Sequence, residues 1–157
     1  MPQKMYMQTT AIPAMQTAGE IISLLVQSGA REISQTYDGK MKLTGVRFTL
    51  EVAPGMIRLF SLPVRIEPVF KCINGARKYN WDRTESAAKD REQAERVAWR
   101  QLYRWCQAQL AMIQTGMVEA GEVFLPYMEH ESGQTLFELV KSNSQKLLGV
   151  GVLTEKG

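Results

Sequence analysis

Apolar residues recur along this chain in two rhythms, and the rhythm changes several times. In "TAGEIISLLVQSGA", Ile21, Leu24 and Leu25 share one face at helical spacing. Thr17 and Glu20 have capping-box spacing and Gly29 offers a left-handed stop, so a helix is predicted over 18–28. Alternation then takes over. "REISQTY" (31–37) runs into Asp38-Gly39, a hairpin turn signal in which both central positions tolerate positive φ. In "KLTGVRFTLEV" (42–52), Val46, Phe48, Leu50 and Val52 point one way and Arg47, Thr49 and Glu51 the other. "APG" (53–55) makes a turn, and "MIRLFSLPVRI" (56–66) reads as a third strand. Upstream, "YMQTTAIPA" (6–14) has β-like content and ends near Pro13, which suits an edge strand.

The second half is helical in rhythm. From 65 to 84 periodicity is lost, and the stretch reads as a long basic, aromatic loop. A long helix is predicted from about Glu85, capped by Thr84, to about Thr115, with Gly116 as the stop. A shorter helix over 118–128 is interrupted near Pro126, "HESGQ" is a turn, and 135–148 forms a last helix. The predicted order is β-α-β-β-β-α-α. It implies an α+β fold, an antiparallel meander of three or four strands packed on the long helix. One domain is expected over 1–148, with a flexible tail at 149–157.

Bulk composition changes this picture little. The chain has 157 residues, 45% hydrophobic and 22% charged, ordinary globular usage. No apolar run approaches a membrane span and Met1–Thr17 shows no secretory pattern. Cys72 and Cys106 fit neither a zinc site nor a CxxC motif, so a cytoplasmic protein with two free thiols is expected. Charge is informative in its distribution. Residues 1–104 hold 16 Lys/Arg against 10 Asp/Glu, whereas 105–157 hold 3 against 6. A basic body with an acidic tail points to an anionic partner or to contacts between subunits.

Candidate chemistry follows from that charge. Within 65–84, Lys71, Arg77, Lys78 and Arg83 interleave with Tyr79 and Trp81. Aromatic rings stack on unpaired bases and nearby cations hold phosphates, the combination that grips a single strand. Arg96, Arg100 and Arg104 recur every four residues along one face of the long helix, and Arg47 and Arg58 lie on the strands. The stripe reads first as a solvated helix edge paired with acids, and second as a phosphate contact. His130, between Glu129 and Glu131, has no second histidine or spaced cysteine to make a metal site. There is no G-x-S-x-G, P-loop or G-x-G-x-x-G, so no catalytic residue, cofactor or metal is expected.

"AERVAWRQLYRWCQAQLAMIQTGMVEAGEVFLPYM" (94–128) resembles a family of small proteins from phages, mobile elements and metagenomes. The shared pattern is Gly29-Ala30 after an early helix, Leu62-Pro63 at a strand end, Trp99-Arg100-Gln101-Leu102, then Glu122-Val123-Phe124-Leu125. The resemblance spans roughly 15–145 and implies kinship and setting, with no catalytic residues attached. The helix, meander, long-helix order is also similar, in topology alone, to single-strand annealing proteins. A non-enzymatic nucleic-acid-binding protein is expected, single strands favoured, with contacts from Arg47, Arg58, Lys71, Arg77, Lys78, Tyr79, Trp81, Arg83, Arg96 and Arg100. The rival is a protein-interaction module, an inhibitor of a host defence complex or a self-assembling subunit. A metal-dependent nuclease is a third reading.

Overall fold

The computed structural model describes residues 3–143. It is α+β: a three-stranded antiparallel sheet and six α-helices. Helix α1 (Ala14–Gln27) precedes β1 (Ile33–Tyr37), β2 (Leu43–Ala53) and β3 (Met56–Pro63). Then come α2 (Ile66–Gly75), α3 (Asn80–Glu85), α4 (Ala87–Gln114), α5 (Ala120–Phe124), a 3₁₀ turn (Leu125–Tyr127) and α6 (Leu136–Ser142). The sheet order β1-β2-β3 is a plain meander.

Alternation in β2 sets the inner face. Val46 and Phe48 are fully buried, while Arg47 and Thr49 on the other face keep contact with water. Phe48 pairs directly with Phe60 of β3, their rings stacked 5.4 Å apart. Phe124 stands edge-on to Phe48 at 5.4 Å and to Trp105 of α4 at 5.8 Å, linking sheet, α4 and α5. Ala18, Ile21 and Leu25 of α1 and Trp99, Cys106 and Leu110 of α4 complete this cluster. Both helices end alike. Gly29 (φ 95°) and Gly116 (φ 78°) take the left-handed conformation. Ala30 N–H then reaches back to Leu25 O at 2.9 Å and Met117 N–H to Met112 O at 3.0 Å.

Helix α4, 28 residues long, runs about 42 Å and is used on several sides. Gln93 Nε2 donates to the carbonyls of Gln8 and Thr10 (2.8 and 2.9 Å), and Gln101 Nε2 to that of Tyr6 (2.8 Å). Residues 6–10 thus form a strap along the Gln93–Val97–Gln101 row. Val97 is fully buried yet lies outside the main cluster, as expected for a residue covered by the strap.

Several sequence expectations change here. Residues 6–14 are this strap and the start of α1, so no fourth strand forms among the described residues. Helix α1 starts after Pro13, and Thr17 lies buried inside it; the 17/20 capping box does not exist. A real capping box joins Glu119 and Glu122, and another joins Thr135 and Glu138. The first hairpin turns over Asp38–Met41, and the positive φ falls on Met41 rather than Gly39. Thr84 donates back to Asn80 O and does not cap α4, which begins after Ser86.

The largest correction concerns 65–84, which is two helices and a short corner, not a loop. Ile66, Val69, Phe70 and Ile73 have helical spacing. Pro68 is tolerated because the first turn has no intrahelical use for its N–H. The 149–157 tail and the end of the predicted 135–148 helix lie outside the described residues.

Phe124 holds three elements together, so Phe124→Ala is expected to cost about 3–5 kcal/mol in urea unfolding. Its half-exposed neighbour offers the control: Leu125→Ala should stay within about 1 kcal/mol.

Candidate nucleic-acid interface

The aromatic and basic residues of 70–83 meet at the corner where α2 turns into α3. What fixes that corner is buried polar chemistry. Asp90, in the first turn of α4, is only 3% exposed. Arg77 answers it with a bidentate grip, Nε to Oδ2 at 2.7 Å and Nη2 to Oδ1 at 2.9 Å. Arg77 Nη1 also reaches both oxygens of Asp82, at 3.2 and 3.3 Å. Asn74 Nδ2 donates to Asp90 Oδ2 at 3.0 Å and to Arg83 O at 2.9 Å.

Arg83 closes the loop from the other side. Its Nε donates to Arg77 O at 2.9 Å, its Nη1 to Asn80 Oδ1 at 3.2 Å and its Nη2 to Gly75 O at 3.3 Å. It thereby satisfies a carbonyl left open at the end of α2. Arg91 of α4 lies over the Phe70 ring at 4.1 Å and pairs with Glu67 at 2.8 Å, docking α2 on α4. The Arg77 guanidinium holds the Asp90 carboxyl below its ordinary 3.8, against the opposing effect of burial. The two carboxylates in turn raise the pKa of Arg77.

With the corner closed, a small set of side chains faces outward. Tyr79 is 52% exposed and Trp81 66% exposed. Their rings are near-parallel, 6.2 Å between centroids with 14° between planes. The Lys78 ammonium sits 5.4 Å from the Tyr79 centroid, and Lys71 is exposed on α2. The platform combines π faces with nearby cations, the chemistry that accepts unpaired bases and phosphates.

The remaining residues singled out in the sequence are placed elsewhere. Arg47, on the outer sheet face, donates through Nε and Nη2 to Glu129 at 2.7 and 2.8 Å, and the pair raises its pKa. Arg58 is exposed near the β2–β3 turn and bonds its neighbour's carbonyl, Ile57 O, at 3.0 Å. Arg96 donates to Gln93 Oε1 at 3.0 and 2.6 Å. Arg100 is 7% exposed, pairs with Glu20 of α1 and lies over the Tyr103 ring at 4.3 Å. The Arg96–Arg100–Arg104 row is therefore no open stripe; Arg100 faces α1. Of the ten candidates, Lys71, Lys78, Tyr79 and Trp81 belong to α2 and the α2–α3 corner without a side-chain ion pair or hydrogen bond among the described residues; Arg83, though in no ion pair, donates to three partners within the corner.

The ion-pair roles of Asp90, Glu20 and Glu129 are not visible in the sequence. Their cation partners lie 13, 80 and 82 residues away, where no local pattern reports them. The Glu129–His130–Glu131 run splits apart: Glu129 serves Arg47, and His130 Nδ1 accepts from Ser132 N–H at 3.2 Å within its turn. Among the described residues, no three His, Cys, Asp or Glu side chains gather as a metal site, and no helix is long and apolar enough to cross a membrane. Burial pushes the Cys106 thiol up to about 12, and both cysteines are free. Compared with protein-family models, curated proteins and solved structures, the chain has no match in any of the three.

The buried pair gives a stability prediction. Arg77→Met should cost about 3–5 kcal/mol by leaving the Asp90 carboxylate unanswered. The folded pKa of Asp90 is depressed, so its contribution is present above the unfolded value near 4 and is lost as pH falls through the folded value. Urea titrations at pH 7 and pH 3 should therefore show a smaller wild-type to Arg77→Met gap at pH 3. An equal gap at both would mean the carboxylate is not the cause.

Proposed function

We propose that this chain is a non-enzymatic, single-stranded nucleic-acid-binding protein whose contact surface is the α2–α3 corner. The observation that carries the reading is the exposed, near-parallel Tyr79–Trp81 pair beside Lys78. Base–aromatic stacking contributes roughly 1–3 kcal/mol per base and tolerates any sequence, because every base has a π face. A platform held in advance by Arg77, Arg83 and Asn74 loses little entropy on binding. The resemblance to phage and mobile-element proteins agrees with such a role by setting alone. The strand can be DNA or RNA, since stacking on a π face does not depend on the sugar.

A protein-interaction module is the second reading. Met117 and Leu125, 70% and 50% exposed, lie before and after α5 and would suit an apolar partner surface. Salt-sensitive self-association in light scattering would favour it.

Fluorescence anisotropy with a labelled oligo-dT and a matched duplex at low salt tests the first reading. Binding at micromolar protein is expected for the single strand. With Lys71 and Lys78 each meeting one phosphate, log K should fall with log salt at a slope near −1.4. Trp81→Ala and Lys78→Glu should each weaken binding about tenfold, and Arg104→Glu less than about threefold. Bound oligonucleotide should quench tryptophan fluorescence through Trp81, because Trp99 is fully buried and Trp105 packs edge-on against Phe124 and Tyr127. Failure of both strand forms to bind at micromolar protein sinks the proposal.

A further inference from the structure

Among the described residues, two non-glycine residues, both methionines, have positive φ: Met7 (64°) and Met41 (61°). Met7 is half-buried in the strap, where surrounding structure holds it. Met41 is different. It stands at the β1–β2 hairpin tip with 85% of its surface exposed, the most of any large apolar residue described. A bulky side chain in the left-handed region is strained, and here no packing offsets the strain. Glycine would fit the backbone better.

The tip is nevertheless firmly built. Asp38 Oδ1 accepts from Lys40 N–H at 2.8 Å and Lys42 N–H at 2.9 Å. Asp38 N–H donates to Lys42 O at 2.9 Å and Met41 N–H to Asp38 O at 3.0 Å. The result is an apolar side chain projected into solvent between two lysines, with Tyr37 (51% exposed) at the end of the adjoining strand. Lys42 Nζ lies 3.5 Å from Glu95 of α4, which ties the tip to the helix that also anchors the α2–α3 corner through Asp90. Glu95 and Asp90 are five residues apart, about 7.5 Å along the axis. Five residues also turn about 140° around the axis, so tip and corner attach to the same stretch of α4 on different sides of it, and only a strand long enough to pass from one to the other meets both.

We propose that the β1–β2 tip is a second contact for the same single strand, with Met41 wedged against or between bases and Lys40 on an adjacent phosphate. The inference rests on the nucleic-acid reading above. Apolar side chains, methionine among them, serve as wedges between the base steps of duplexes; here Lys40 is exposed to meet an adjacent phosphate, while Lys42 is held by Glu95. A methionine standing where glycine fits more easily breaks a local rule, and such breaks are expected at functional sites.

Met41→Gly separates contact from folding. It should raise the Tm by about 3 °C through relief of the strain, so loss of binding could not be ascribed to unfolding. Anisotropy is read with dT oligomers of roughly 4 and 16 nucleotides, the span of known single-strand site sizes. Met41→Gly and Lys40→Glu should each weaken the longer oligomer at least fivefold and leave the shorter one, held by the corner, unchanged. If Met41→Gly binds both like wild type while Trp81→Ala weakens both, the tip inference is overturned and the corner reading stands. If wild type binds neither oligomer, the corner reading falls and the inference with it. Vesicles of anionic phospholipid are the third arm. Binding to them that Met41→Gly abolishes, with oligomer binding intact, overturns the inference in favour of a lipid surface. A fall in Tm would assign Met41 a structural role and overturn it as well.

Discussion

Asp90 is the constraint on which the helical corner depends. A carboxylate nearly shut off from water in the first turn of the longest helix must find compensating charge and hydrogen bonds. Arg77 and Asn74 supply them, and both come from one short stretch at the end of α2. Satisfying Asp90 therefore pins α2 to α4. Helix α2 has no fully buried residue of its own, so hydrophobic burial alone would hold it loosely. The polar lock gives it a defined place, and that place decides where Lys78, Tyr79 and Trp81 emerge.

Helix α4 is the member common to every layer. Its Trp99, Cys106 and Leu110 meet the cluster under the sheet, Arg100 reaches Glu20 on α1, Gln93 and Gln101 hold the strap, and Asp90 and Arg91 hold α2 and the corner. With 3.6 residues per turn these contacts fall on different sides of the same cylinder. This explains why "RVAWRQLYRWCQAQLAM" looks neither cleanly amphipathic nor cleanly polar. A helix packed by four different partners shows no single apolar stripe.

The meander and α4 were legible in the sequence because their signals are local and periodic: alternation in β2, glycine at both Schellman ends, helical spacing around Trp99. Helix α2 was equally periodic at Ile66, Val69, Phe70 and Ile73, but Asn74-Gly75, which by itself signals a turn, obscured it. Proline in a first turn and glycine at a last one are compatible with a helix, and only the spacing between them separates a ten-residue helix from a loop. The candidate surface was half legible. The aromatic and basic density was visible, but not which cations were already spoken for, because Asp90, Glu20 and Glu129 are distant in sequence from their partners or hidden among ordinary acids.

That sorting follows from the chemistry of the two cations. Arginine offers five donors in a planar fork and finds carboxylates and carbonyls within the fold; lysine, a strongly hydrated point charge, is left at the surface. In this chain Arg47, Arg77, Arg83, Arg91, Arg96 and Arg100 each donate to a partner on the protein, and Lys71 and Lys78 remain exposed. Arginine density in a sequence thus overstates the positive charge available to a polyanion. Two lysines release few counterions, so charge alone cannot give tight binding at physiological salt. Whatever affinity this surface has for a single strand must come chiefly from stacking on Tyr79 and Trp81. On the proposed reading, that is why the rigidity of their corner, and hence the buried Asp90, would bear on binding.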